Sequence, residues 1–186
     1  MDFIGISKVH EGRFITRYDL TYKTALGNTK KYEMISRNKD MTSFEDIKSK
    51  RAEAVVLIVH SEDRNSIILN KEFRMAVGDY AYNFPAGLID PGEDEIAAAK
   101  RELWEETGLE LKEVLDVWPA SYSGVGLTNE MSKVIICTAA GEFSPSTSDE
   151  EEIEASWYTK EDIRKLSSSD CFAARTQAYC RLWAAE

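Results

Sequence analysis

Stretches in which apolar and polar residues alternate with a period of two mark the first forty positions, and longer apolar runs follow. Residues 3–37 read as strands. Arg13 to Tyr22 combines alternation with β-branched and aromatic side chains, and Lys31 to Ser36 repeats the pattern after a turn at 26–29. Such a small antiparallel sheet could hardly be stable alone. Residues 38–50 are polar and break the pattern, so the boundary falls there: 1–40 as an N-terminal β-sheet module and 41–186 as the main domain. Ala54 to His60 reads as a buried central strand, and Ser66 to Asn70 pairs with it across the turn at 61–65. Tyr80 to Phe84 leads into a turn and a helix. Val114 to Trp118, Lys133 to Ala140 and Ser156 to Tyr158 are further strands, and helices follow over 160–166 and 172–185. This order predicts an α/β fold with a sheet between helices.

The central helix carries the chemistry. Asp90, Pro91 and Gly92 favour a bend. The helix is expected to start near Glu93 or Asp94, where acidic groups suit the helix dipole, and to stop at Thr107 before Gly108, a natural C′ residue. Ile96, Ala99 and Leu103 form its expected buried stripe. Glu102 and Glu106 lie one turn apart, and Glu105 adjoins them. Arg101 is placed to pair with Glu105, with Glu93 about two turns before it. A run of acids is most often a solvated face. Here three glutamates can converge on one volume, and a hard divalent cation needs several such oxygens.

Composition narrows the classes. The length of 186 residues suits one domain, with room for a small appendage. A formal net charge of −10 argues against a general nucleic-acid partner, which would need a basic patch. The three cysteines, Cys137, Cys171 and Cys180, lack CxxC spacing and read as reduced thiols of a cytoplasmic protein. His10 and His60 have no neighbouring ligand residues in sequence and are assigned no role. The start, Met1-Asp2-Phe3, does not read as a signal peptide, and no run reaches membrane-spanning length.

Gly87, Glu93, Arg101, Glu102, Leu103, Glu105, Glu106, Gly108 and Leu109 together fit a long gapped pattern: Gly-x5-Glu-x7-Arg-Glu-U-x-Glu-Glu-x-Gly-U, with U aliphatic. On these residues the chain resembles the Nudix hydrolases. The resemblance implies an α/β/α sandwich with a mixed sheet, and metal-dependent cleavage of a nucleoside diphosphate linked to another group. It implies Glu102 and Glu106 as metal ligands and Glu105 as a further ligand, direct or through water. Mg²⁺ is the expected cofactor, with Mn²⁺ as an alternative. Gly87 then allows the tight loop, and Glu93 with Arg101 braces it.

The flanks resemble the ADP-ribose pyrophosphatase branch. Lys71 to Asp90 runs through Arg74 into Pro85-Ala86-Gly87-Leu88-Ile89-Asp90. The likeness implies the Ala86 carbonyl as a metal ligand and Arg74 as a substrate-binding group. Asn83 departs from the branch, which usually has Glu there. Tyr32 and Arg37 match an aromatic that stacks on adenine and an arginine that contacts the nucleotide, often across a dimer interface. A strand tyrosine is equally a core or cross-strand residue. Ser123 to Glu130 resembles a branch loop in which Val125 replaces the usual proline, and Glu130 is a candidate substrate contact. In the acidic stretch 148–154, Glu151 best matches the glutamate that activates water, and Glu150 and Glu152 stay open.

The resemblance therefore implies hydrolysis of a nucleoside diphosphate sugar, with ADP-ribose giving AMP and ribose 5-phosphate. Alternatives are another sugar nucleotide such as GDP-mannose, or a non-catalytic nucleotide-binding domain. A sheet that needs burial, together with the likeness, predicts a homodimer whose N-terminal sheet serves as dimerisation and substrate arm.

Overall fold

Two compact units divide the chain: residues 1–53 with 120–132, and residues 54–119 with 133–186. The computed structural model describes residues 1–48, 50–168 and 170–185. The first unit holds β1 (Asp2–Glu11), β2 (Thr16–Lys23) and β3 (Thr29–Ser36), an antiparallel sheet in that order. Its core is small. Tyr18, Leu20, Met34 and Met41 are buried, with Phe3, Ile6, Tyr22 and Ile47 packed around them. The Tyr18 hydroxyl donates to the Asn38 carbonyl at 2.9 Å. The polar segment after β3 contains an unexpected single turn, α1 (Phe44–Ile47), stabilised by a reciprocal cap between Ser43 and Asp46.

In the second unit, β4 (Ala54–His60) is the centre of a large sheet, flanked by β5 (Ser66–Arg74) and by β10 (Met131–Ala140). Next to β5 lie β6 (Asp79–Asn83) and β11 (Ile153–Thr159). A short β7 (Ala86–Leu88) pairs with β4, and β8 (Glu110–Val117) pairs with β10. The remaining strand, β9 (Ser121–Tyr122), pairs with the first residues of β10 inside the first unit.

Period-two geometry builds the sandwich from β4. Val55, Leu57 and Val59 face one layer, where Ala98, Ala99 and Leu103 of α2 (Glu95–Thr107) pack. Val56 and Ile58 face the other, packed against Ile163 of α3 (Lys160–Leu166) and Cys180, Trp183 and Ala184 of α4 (Ala174–Ala185). This is the α/β class expected from the pattern, with helices on both faces of the sheet.

Some boundaries differ from the sequence reading. β7 lies inside the expected loop because Val55 and Val56 offer edge partners to Gly87 and Ala86. β8 begins at Glu110 rather than Val114, continuing directly from the α2 cap. The last helix begins at Ala174 rather than Phe172, because Phe172 forms a bridge with Tyr82 and stacks on its ring at 5.2 Å.

Candidate active site

Helix α2 starts and stops where its chemistry dictates. Asp94 caps it, its Oδ1 accepting from the Ile96 and Ala97 amides at 2.9 and 2.8 Å. Gly108 ends it with φ 77°, a left-handed conformation that a residue with Cβ rarely adopts. Ala98, Ala99 and Leu103 are fully buried, and Ile96 is half-buried. Glu106, one turn beyond Leu103, continues the buried stripe at 8% exposure.

Arg101 ties the motif together. Its guanidinium donates to Glu93 (3.2 and 2.9 Å), Glu102 (2.8 Å), Glu105 (3.1 Å) and the Leu88 carbonyl (2.8 Å). The loop from Leu88 to Glu93 is thereby strapped to the helix. Arg101 holds the Glu93 carboxyl below the usual carboxylate range. Gly87 meets the helix at its closest approach, where an added Cβ would lie 1.9 Å from the Glu102 carboxyl carbon.

Glu106 takes its hydrogen bonds from neutral donors, the Asn70 amide at 2.8 Å and the Ala86 N–H at 3.3 Å. Burial, and then the Glu102 charge, push its pKa well above the ordinary value. Burial also raises Glu102, against the opposing pull of Arg101. Among the described residues, no three acidic, histidine or cysteine groups stand together as a ready-made metal cluster. Arg101 draws Glu102 and Glu105 towards itself, while Asn70 and Ala86 hold Glu106.

The donor set nevertheless fits a hard divalent cation. It consists of carboxylate and carbonyl oxygens, and the adjacent Asn70 Oδ1 is buried without a hydrogen-bond partner among the described residues. Burial disfavours the ionised form of Glu106, and a positive counter-charge beside it would favour that form.

Strand β5 adds Asn70 and Glu72, which the sequence reading did not single out, to Arg74, which it did. Asn70, Glu72 and Arg74 share one face at alternate positions. Asn70 reaches Glu106, Glu72 adds to the negative potential on Glu106, and Arg74 is paired with Glu72. The signal was present as period two running off the end of an apolar strand. Asn83 turns elsewhere, accepting from the Thr176 hydroxyl at 2.9 Å and its own neighbour's amide, Phe84 N–H, at 3.0 Å. Of the three candidates in the acidic loop, Glu151 lies where its charge reaches Glu102 and Glu106. Glu152 instead accepts from the Tyr80 hydroxyl at 2.7 Å.

Tyr32, Arg37 and Glu130 belong to the first unit, which joins residues more than ninety positions apart. Tyr32 Oη donates to the Gly126 carbonyl at 2.5 Å, and Arg37 Nε donates to Glu130 at 2.8 Å. Backbone bonds from Ile35 N–H to Leu127 O and from Ser123 N–H to Glu130 O fix the loop. Tyr32, Tyr22, Met34, Val125 and Leu127 line a largely apolar cavity of about 530 Å³, with Lys30 and Lys48 also in its wall.

A model of the NUDIX domain matches residues 50–175. The chain belongs to the Nudix family. Among its relatives is a mouse protein named ADP-sugar pyrophosphatase. It is 36% identical over 140 residues, covering 72% of this Nudix chain and 59% of the relative. A Bacillus subtilis protein named ADP-ribose pyrophosphatase is 30% identical over 124 residues, covering 65% of this chain and 66% of the relative. The chain thus spans less than two thirds of the length of the relatives it matches. A solved structure described as an ADP compounds hydrolase superposes with a TM-score of 0.72 at 18% identity, over 100% of this chain and 93% of the other. That likeness establishes the Nudix fold. Among the described residues, no helix is long and apolar enough to cross a membrane.

Proposed function

We propose that this Nudix chain hydrolyses the diphosphate bond of a nucleoside diphosphate sugar, ADP-ribose first, giving AMP and ribose 5-phosphate. The observation that carries this reading is Glu106, a buried carboxylate with neutral hydrogen-bond donors, beside Glu102 on the motif helix. The names of the mouse and Bacillus relatives support the substrate class.

Nudix hydrolases generally use divalent metals, and Mg²⁺ is the proposed ion, with Mn²⁺ able to replace it. Glu102, Glu105, Glu106 and the Ala86 carbonyl would hold it. Bound there, the cation neutralises diphosphate charge and acidifies water. Glu151 takes the proton from the attacking water as general base. Arg74 leaves its pair with Glu72 to bind a phosphate oxygen, for which a guanidinium fork is well shaped. Arg101, which the motif places among the catalytic residues, acts through its grip on Glu93, Glu102 and Glu105. Tyr32, Arg37 and Glu130 are proposed substrate-binding residues of the first unit, the ring for a base and the guanidinium for an anion.

The N-terminal module, residues 1–40, is proposed as dimerisation and substrate arm, and the protein as a homodimer. Exposed Ile4, Val9, Phe14 and Ile15 beside a core of four buried residues support this. A cytoplasmic location is proposed from its three free thiols.

The test is hydrolysis of ADP-ribose, ADP-glucose, GDP-mannose, NADH and FAD with Mg²⁺ or Mn²⁺, with products identified by mass. AMP from ADP-ribose, abolished by chelator, is the expected result. Preference for another member overturns the substrate, and no turnover with either metal overturns the enzyme reading.

A further inference from the structure

The acidic loop is anchored at both ends, and one anchor is a side chain that the reaction does not touch. Near its start, Thr147 N–H donates to the Glu105 carbonyl at 2.9 Å. At its end, two bonds hold Glu152. The Tyr80 hydroxyl donates to Glu152 Oε2 at 2.7 Å, and the Phe73 N–H donates to the Glu152 carbonyl at 3.0 Å.

Tyr80 is itself well seated. It stands opposite Phe73 across the β5–β6 pair. Their rings meet edge to face at 5.4 Å, and Lys71 Nζ lies 5.3 Å from the centre of the Tyr80 ring. Lys71 and Phe73 occupy the face of β5 opposite to Asn70, Glu72 and Arg74. The Tyr80 bond therefore pins Glu152 on the side of the sheet away from the box glutamates.

Successive side chains of extended backbone point to opposite faces. Ile153 pairs with Glu72, which lies on the glutamate side. Glu152 is held on the far side, and Glu151, just before it and ahead of β11, lies where its charge is felt at both Glu102 and Glu106. We propose that Tyr80 is a positioning residue, whose hydroxyl holds Glu152 and thereby aims Glu151 at the site. The proposal rests on the hydrolase reading above, with Glu151 as base.

Two measurements test it on the full chain. In Tyr80→Phe the ring stays and the hydroxyl goes. Amide hydrogen exchange of Phe73 and of residues 149–153 should quicken in Tyr80→Phe, with the rest of the chain unchanged. With ADP-ribose and Mg²⁺, kcat should fall about tenfold, a fraction of what a general base contributes, while KM stays within about twofold. Glu152→Gln, whose amide oxygen still accepts from Tyr80, should keep kcat within about twofold of wild type. Adding Tyr80→Phe to Glu151→Gln should cost nothing more, because the group being aimed is gone. Equal exchange in wild type and Tyr80→Phe overturns the hold on Glu152. A full tenfold loss on top of Glu151→Gln, or an unchanged kcat in Tyr80→Phe, overturns the aiming of Glu151. A wild-type chain that turns over no substrate sinks the hydrolase reading and the aiming with it, and exchange still decides the hold on Glu152.

Discussion

Glu106 is 8% exposed, and the Asn70 amide and Ala86 N–H solvate it far less than water would. Its folded-state pKa lies above the ordinary 4.5, so ionisation weighs against the fold. The sign follows from linkage. The unfolded chain loses this proton near pH 4.5 while the folded chain keeps it, so stability falls as pH rises from there to the folded pKa. Glu106→Gln keeps an acceptor for both hydrogen bonds and removes the charge. In chelator at neutral pH its Tm should rise by about 2–6 °C. Mg²⁺ should no longer raise that Tm, and kcat for ADP-ribose should drop at least about a hundredfold. Thermal melts with and without metal, alongside steady-state kinetics, check both halves. Retained turnover would refute the ligand assignment, and a lowered Tm would refute the account of burial.

Elements position these side chains through their ends as much as through their interiors. Helix α2 begins at Glu95 because Asp94 accepts two free amides, and ends at Thr107 because Gly108 turns left-handed. Both ends were legible in sequence, as was the Ala99 and Leu103 stripe. Asp94→Ala removes the cap, which costs about 1 kcal/mol, or about 2–4 °C in Tm for a chain of this size. Arg101 still holds the loop through Glu93 and Leu88, so kcat should change less than about twofold. An unchanged melting curve would show that the first turn is held by something other than its cap. Strand β5 was only partly legible. Its apolar stretch stopped the sequence reading at Asn70, yet Lys71 to Arg74 continue the strand because β6 and β11 hydrogen-bond both its edges. Glu72 was hidden by that early stop.

At the scale of the molecule, the first unit has a small core and exposed Ile4, Val9, Phe14 and Ile15. Sheets of this size gain stability by covering an apolar face. Sedimentation velocity at micromolar concentration should give a homodimer. A monomer across that range would remove the proposed dimerisation arm, and the hydrolase reading would stand on the second unit's residues alone. The second unit needs no such argument for its core, since β4 is buried on both faces between helices.

The sequence by itself determined the motif helix, its caps, the central strands and the family. Those properties are local: periodicity, turn residues and a fixed spacing of glycines, arginine and glutamates along one stretch of chain. Tertiary structure alone decided which distant groups meet. It brought Asn70 to Glu106, Glu130 to Arg37, and Tyr80 to Glu152, and it turned Asn83 towards Thr176. It also decided how strongly Glu106 feels its burial, because desolvation depends on every element packed around a group and not on its neighbours in the chain.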